Sequence, residues 1–380
     1  MRVLHVVASD QRRGAEMFAA DLIRLLDVDV EQRVAVLRAA ADHPVRYGAP
    51  ATVLSSRGLP TPRLNVDLPA GRALAGLVRQ WHPHIIQAHG GDALKSVVLA
   101  ARNGNRRLVY RRIGAVPPSL STARRAAYGL MMRRALRVVA VGEALRRETV
   151  EVFGVSPDRA VSIPNGVDSH RMVPSKSREE IRRELGIPPR AEVILSLGAL
   201  TWEKDPLAHV ETSARVLRAR RHAFHVFVGE GPLRKDVAQA VARRGLTGRV
   251  RLLGARDDIP DLMTASDVLL LASRVEGMPG TAIEAGMAGV PVAAFAIAGI
   301  PEVVEDGQTG RLAAAGQVDE LSDSVIDLLS HPASRRAMGL LAQERCRKLF
   351  DIRVVAPRYL GLYQELVAAK EPAAHQARER

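Results

Sequence analysis

Cysteine is nearly absent from this chain. Cys346 stands alone among 380 residues, so no internal disulfide can form and no Cys/Cys or Cys/His zinc spacing occurs. That usage fits a reducing compartment. Aromatic residues are also scarce, at 3%, which leaves the cores to Val, Leu, Ile and Ala. It also argues against nucleic acid as a partner, because base-stacking side chains are lacking near the basic residues. No apolar run reaches the length of a membrane span. The opening MRVLHVVAS is too short and too soon interrupted for a signal peptide. These absences place the chain in the cytoplasm, soluble or peripheral on the inner face of the membrane.

What is present is globular. Apolar residues make up 47% and charged residues 25%, and the length suits two domains. The net charge is +14, from 55 Lys+Arg against 41 Asp+Glu. The excess sits in residues 101–147, which carry 12 arginines and a single acid, Glu143. A helical pattern over 120–137 puts Tyr128, Met131, Met132 and Ala135 on one face, with Arg133, Arg134 and Arg137 opposite. Such a window suits an anionic partner, either a membrane surface or an anionic acceptor. An ordinary amphipathic helix with a solvated face explains it equally well.

Short apolar runs at 3–8, 34–37, 85–88, 108–110 and 138–141 read as buried strands. Helical patterns at 15–26, 70–81 and 93–102 lie between them. The second half repeats the scheme. Strands are expected at 193–197, 225–228, 250–252, 268–271 and 291–294, with helices at 206–221, 233–244 and 317–330. Alternation of this kind predicts an α/β fold with parallel sheets. The expectation is two doubly wound, Rossmann-like domains, 1–165 and 166–354, facing each other across a cleft. Ligands of such sheets bind beyond the carboxyl ends of the strands. The tail 371–380 reads as polar and disordered.

The most informative segment runs Arg274-Val-Glu276-Gly-Met-Pro-Gly280-Thr-Ala-Ile-Glu284 and follows a strand. Gly277, Met278, Pro279 and Gly280 predict a tight turn, and a helix is expected to start at Gly280 or Thr281. Backbone N–H groups at a helix start attract anions, and glycines let a ligand approach closely. Glu276 and Glu284 would then present carboxylates to hydroxyl groups. The bland reading is a strand–turn–helix with two solvated acids. A second segment, Ser196-Leu-Gly198-Ala-Leu-Thr-Trp-Glu-Lys204-Asp-Pro206, brings a lysine shortly after a strand-ending glycine, within reach of a diphosphate.

The spacing from Glu276 to Glu284 resembles the Glu–seven residues–Glu motif of retaining GT-B glycosyltransferases of family four. The resemblance implies a retaining, metal-independent transfer from a nucleotide diphosphate sugar to a hydroxyl acceptor. It assigns the sugar to Glu276, the ribose to Glu284, and the sugar and diphosphate to the backbone at Gly277–Gly280. No cofactor is implied beyond the donor itself. Gly198, Leu200, Glu203 and Lys204 match the family's phosphate loop, but Ala199 replaces its arginine. Ile163-Pro-Asn-Gly-Val-Asp168 is similar to its linker, and Leu253-Gly254 to a nucleotide-side loop. Phe350-Asp-Ile with Tyr359 and Tyr363 resembles its final helices, which implies that a helix at 355–372 packs back on the first domain. Gly14, before Ala15-Glu16, takes the family's place near the donor phosphates and acceptor, and His89, at the end of Ile85-Ile-Gln-Ala-His89, its place near the transferred sugar. Catalytic roles are thus expected for His89, Lys204 and Glu276. Acceptors of surface glycan, glycolipid or lipopolysaccharide type would suit the basic first half. Two rival readings stand beside this one. A sugar-nucleotide epimerase would share the fold, and a non-catalytic binding subunit would explain Ala199 and Arg13, the latter standing where relatives have glycine. No Asp-x-Asp metal motif is convincing; Asp27-Val-Asp29 has the spacing but lies far from the donor loop.

Overall fold

The computed structural model describes residues 1–26, 30–39, 44–55, 67–100, 108–116 and 120–369. Asp27-Val-Asp29, the arginines at 102, 106 and 107, and the tail 371–380 lie outside the described residues. The chain divides into two compact units, Met1–Gly166 with Ile352–Arg380, and Val167–Asp351.

The first unit holds seven parallel strands: β1 Arg2–Ser9, β2 Glu31–Arg38, β3 Ala51–Val53, β4 Ile85–His89, β5 Leu108–Arg112, β6 Arg137–Ala140 and β7 Ala160–Ser162. Their order is β3-β2-β1-β4-β5-β6-β7. The central strands β1 and β4 are buried along nearly their whole length, as a sheet covered on both faces requires. The strand order reverses between β1 and β4, and that topological switch point is where such sheets bind ligands. The helix Ile352–Ala368 belongs to this unit. Its Ile352, Val355, Tyr359, Tyr363 and Leu366 join Phe18 and Leu22 in one buried cluster. Gly166 makes room for it, because a Cβ there would lie 2.7 Å from Cδ1 of Ile352.

The second unit holds six parallel strands: β8 Glu192–Leu197, β9 Ala223–Val228, β10 Val250–Leu252, β11 Val268–Leu271, β12 Val292–Phe295 and β13 Gly310–Ala313. The order is β10-β9-β8-β11-β12-β13, so the switch point falls between β8 and β11. Asp267 ties these two strands together at their entry ends. Its Oδ2 accepts from the backbone N–H of Val193 at 2.8 Å and from Arg182 at 2.9 Å. Its Oδ1 accepts from Arg178 at 2.7 Å and Arg335 at 2.9 Å.

The structure revises the expected arginine helix. The observed helix is Thr122–Met132. It ends where Arg134 and Ala135 donate back to Met131 and Met132, and Leu136 then donates to the Leu108 carbonyl to join the sheet. Arg137 therefore lies in β6, and Arg133 and Arg134 lie in a turn. The helical period ran past the real end because Ala135, buried in the turn, falls in step with Tyr128, Met131 and Met132. Among the described residues no helix is long and apolar enough to cross a membrane.

Candidate functional site

In the second unit the loops after β8 and β11 flank the switch point. After β8 the chain makes a turn, with Lys204 N donating to the Thr201 carbonyl at 3.2 Å. Asp205 then takes a left-handed conformation, φ 44°, and caps the helix Pro206–Ala219 by accepting from Ala208 N. Proline at the first helical position suits that start. The loop after β11 is fastened to this turn: the Glu203 carbonyl accepts from Arg274 N at 2.8 Å and from Val275 N at 3.2 Å.

The fastening brings Lys204 and Glu276 together. The Nζ of Lys204 lies 2.6 Å from Oε1 of Glu276, which also accepts from the Ser273 hydroxyl at 2.7 Å. Glu276 is buried, and the side chain of Lys204 is one-third exposed. The lysine stem passes over Gly198, 3.9 Å from the place a Cβ would occupy. The depression beside the lysine stem is lined by Gly198, Ala199, Lys204, His209 and Ser273 among others, and Lys204 is the one charged side chain among the described residues that line it. Ala199 is exposed beside it. Arg274, which could have stood in for the arginine missing at 199, is engaged elsewhere. Its Nε donates to Asp205 at 2.6 Å and its guanidinium lies over Trp202.

Gly277, Met278 and Pro279 are buried in the turn, and the helix Gly280–Met287 follows. No side chain caps that helix and its first turn carries no acid. Thr281 sits in the first turn, and Glu284 is half-buried one turn from the start. Close loop stacking explains several neighbouring glycines. A Cβ on Gly229 (φ 136°) would fall on the Gly198 carbonyl oxygen, and one on Gly299 on that of Gly277. The Gly254 carbonyl accepts from Gly229 N at 2.7 Å, and Leu253 N donates to Phe227. Gly280 differs, since a Cβ there would meet nothing within 4 Å. The fold does not demand glycine at that position.

In the first unit Gly14 opens the helix Gly14–Leu26 after β1. It too has open space where a Cβ would be. His89 ends β4, as the strand pattern predicts, and it is buried there. It is 2% exposed and packs against His5, Phe18 and Arg111. The Nε2 of His5 faces Gln32 Oε1 at 3.0 Å, an acceptor only, so His5 carries its proton there. The Nδ1 of His5 then accepts from His89 Nε2 at 3.1 Å, which leaves His89 Nδ1 as a buried acceptor with no hydrogen-bond partner. Burial holds both rings neutral; that of His5 is pushed down to about 4. Glu16, buried nearby, has its carboxyl pushed up by desolvation.

Much of the arginine window is structural. Arg111 and Arg112 are fully buried in β5. Arg111 donates to Asn165 and lies over Phe18; Arg112 pairs with Glu148 and donates to Thr149 at 2.7 Å. Arg133 donates to the Phe153 carbonyl, Arg137 to Glu365 and Arg146 to Glu143. The exposed remainder among the described residues is Arg124, Arg134 and Arg147, and Leu130, on the same helix as Arg124, is 56% exposed. Among the described residues no group of three or more His, Cys, Asp or Glu is arranged to hold a metal.

Residues 177–345 match the family of glycosyl transferases group 1, and residues 12–171 match glycosyltransferase family 4. The chain belongs to this glycosyltransferase family. It is 29% identical over 308 residues to the 2-deoxystreptamine glucosyltransferase of Streptomyces kanamyceticus, covering 77% of this chain and 80% of that one. It is 32% identical over 250 residues to the D-inositol 3-phosphate glycosyltransferase of Kineococcus radiotolerans, covering 61% and 57%. Across the relatives it matches, the aligned stretch spans from about half to four fifths of their own length. Among solved structures, Anabaena HepE in complex with UDP-glucose superimposes with a TM-score of 0.83 at 22% identity, over 96% of this chain and 100% of the other. That likeness fixes the fold of this glycosyltransferase as GT-B, with two Rossmann-like domains. Sequence reasoning missed Ser273, His209 and the Asp205 turn. The Asp-Pro pair was a legible helix start, but a serine and a histidine in apolar surroundings gave no sign of what they touch.

Proposed function

We propose that this glycosyltransferase moves a glycosyl group, with retention and without a metal, from a nucleotide diphosphate sugar to a hydroxyl acceptor. The observation that carries this reading is the Lys204–Glu276 pair at 2.6 Å, beside an uncapped helix start at the switch point of the second sheet. As the bond from the anomeric carbon to the phosphate oxygen breaks, negative charge grows on the leaving diphosphate. The ammonium of Lys204 and the N–H groups at Gly280 and Thr281 are donors of the kind that stabilise it. Glu276 supplies a buried carboxylate for sugar hydroxyls, and Glu284 one for the ribose. The bond to the acceptor oxygen forms on the same face, and the acceptor proton passes to the departing phosphate oxygen. Gly14 and His89 lie at the switch point of the first sheet, Gly14 as a donor-phosphate position and His89 beside the transferred sugar. The HepE complexes with UDP and UDP-glucose favour a uridine carrier. Relatives named for 2-deoxystreptamine, D-inositol 3-phosphate and a diphosphoundecaprenol-linked sugar favour a cyclitol or a lipid-linked saccharide as acceptor. This suits glycolipid or surface-polysaccharide synthesis.

A thermal-shift screen against UDP-, GDP- and ADP-linked sugars tests the donor reading. Ligand at about 100 times its Kd adds roughly 2.7 kcal/mol to stability, so one donor series should raise the melting temperature by several degrees. A flat response to all three would remove the reading and favour a non-catalytic subunit. Conversion of the donor to an altered sugar without any acceptor would favour the epimerase.

Attachment to an anionic membrane surface is part of the same proposal. It is carried by the exposed helix Thr122–Met132, with Arg124 and Leu130. Co-sedimentation with phosphatidylglycerol vesicles should exceed that with phosphatidylcholine vesicles and weaken as salt rises. Equal sedimentation with both, or none, would remove it.

A further inference from the structure

A chain of hydrogen bonds behind the Lys204–Glu276 pair has only one consistent direction. The Nε2 of His209 lies 3.0 Å from the backbone N of Ala272. An amide N–H can only donate, so Nε2 holds a lone pair and the ring proton sits on Nδ1. That Nδ1–H donates to Ser196 Oγ at 2.6 Å. The Ser196 hydroxyl then gives its proton to Nε2 of His225 at 2.7 Å. His225 must therefore carry its own proton on Nδ1, which donates to Ser213 Oγ. The Ser213 hydroxyl closes the chain by donating to the His209 carbonyl at 2.7 Å. All four side chains are buried. Desolvation keeps both rings neutral: it pushes His209 down to about 4 and His225 well below the usual range.

The residues that this chain joins sit at the site. Ser196 lies near the end of β8, and Ala272 immediately follows β11. His209 is in the first turn of the helix that follows Lys204 and Asp205. One imidazole thus touches both strands flanking the switch point and the root of the lysine loop. Glu276 lies four residues beyond Ala272, and Lys204 five residues before His209. A histidine serving only the core would need apolar neighbours and one partner. This one uses both ring nitrogens on strands whose loops carry the reactive pair.

We propose that His209 is a positioning residue of the transfer site: its Nε2 holds the Ala272 amide and so sets the turn of Ser273 and Glu276 against Lys204. The inference rests on the reading of Glu276 as the group that binds the donor sugar. Its consequence is selective. Displacing that turn disturbs the sugar, whereas the nucleotide is held by Glu284 and the helix start.

Two measurements test it. The first is nitrogen-15 NMR of histidine-labelled protein at pH 7, with the His209 signal assigned by its loss in the variants. The result expected is a neutral ring protonated on Nδ1. A ring protonated on Nε2, or an imidazolium, would overturn the proposal whatever the enzyme binds. The second compares His209→Gln, whose Oε1 can still accept from Ala272, with His209→Asn, which keeps only the donor toward Ser196. Dissociation constants are read for the nucleotide sugar that most raises the melting temperature and for its free nucleoside diphosphate. His209→Asn should weaken the nucleotide sugar about tenfold, in proportion to one buried N–H left unpaired. It should shift the diphosphate by less than roughly threefold, and His209→Gln should hold both within that margin. Equal effects of the two variants, or parallel loss of both ligands, would reduce His209 to a core residue. Glu276→Ala serves as the reference. If it fails to separate sugar from nucleotide, the donor-site reading is wrong. If it separates them and His209→Asn does not, the positioning role is wrong. Should the asparagine variant not fold, the NMR result and the glutamine variant still decide.

Discussion

Lys204→Ala is expected to lower kcat by about 100- to 1,000-fold, the scale on which a single stabilising donor acts on a developing oxyanion. The donor Kd should change far less. Charge on the diphosphate grows as the glycosyl bond breaks, so a cation there is worth more in the transition state than in the bound ground state. Among the described residues that line the depression over Gly198, Lys204 is the one charged side chain. The family's arginine is Ala199, and Arg274 is held by Asp205. A second variant sharpens the test. Ala199 is exposed, so Ala199→Arg can be combined with Lys204→Ala, and the pair should recover part of the lost kcat. Steady-state kinetics with the donor found by thermal shift reads both. A loss in Lys204→Ala of less than threefold would show that the leaving group is stabilised elsewhere. A thermal melt separates the chemical effect from the structural one. Removing the lysine leaves the buried Glu276 carboxylate to Ser273 alone, and some stability will go with it.

The turn and helix start after Glu276 were legible because their signals are local. The strand before Glu276, the glycines of the turn and the spacing to Glu284 are all features of adjacent residues, and the helix begins at Gly280 as its composition predicts. The strand–helix alternation was legible for the same reason. What escaped depends on distant partners. Arg111 and Arg112 belong to the basic window that suits an anionic partner, yet they are buried. Arg112 meets Glu148, 36 positions away, and Arg111 meets Asn165, 54 away. Periodicity could not show that the helix over Tyr128 stops at Met132, because the sheet partner that stops it, Leu108, is remote in sequence. Nor could it show that His89 is buried against His5 and Phe18. The Ser196–His209–His225–Ser213 chain was invisible for the same reason. Its members are spread over β8, β9 and a helix, and only the parallel register of β8 with β9 brings Ser196 level with the neighbourhood of His225.

Asp267→Ala should cost about 3–5 kcal/mol, the range for removing one partner of a buried ion pair. For a unit of this size that corresponds to a fall in melting temperature on the order of 10 °C. The three arginines that meet Asp267 differ in how they would respond. Arg178, with its side chain 34% exposed, is nearest to water, although it also donates to the Thr264 and Ser266 carbonyls. Arg335, at 13%, donates to the Leu328 and Leu329 carbonyls, and Arg182, at 3%, is the most buried. Its other N–H groups donate to the carbonyls of Ala265, Pro189 and Ala191, so the guanidinium would stay fixed with its counter-charge gone. The Val193 amide would lose its acceptor as well. Calorimetry or chemical denaturation of wild type and variant measures the difference, and a fall of under about 2 °C would show that the arginines are balanced by other groups. Asp267 also bears on the site. It immediately precedes β11 and binds the backbone at the start of β8, and these strands lead to Glu276 and Lys204 at their other ends. Loosening them at the entry end should let the reactive pair drift, so the variant should lose transferase activity at temperatures well below its own melting point.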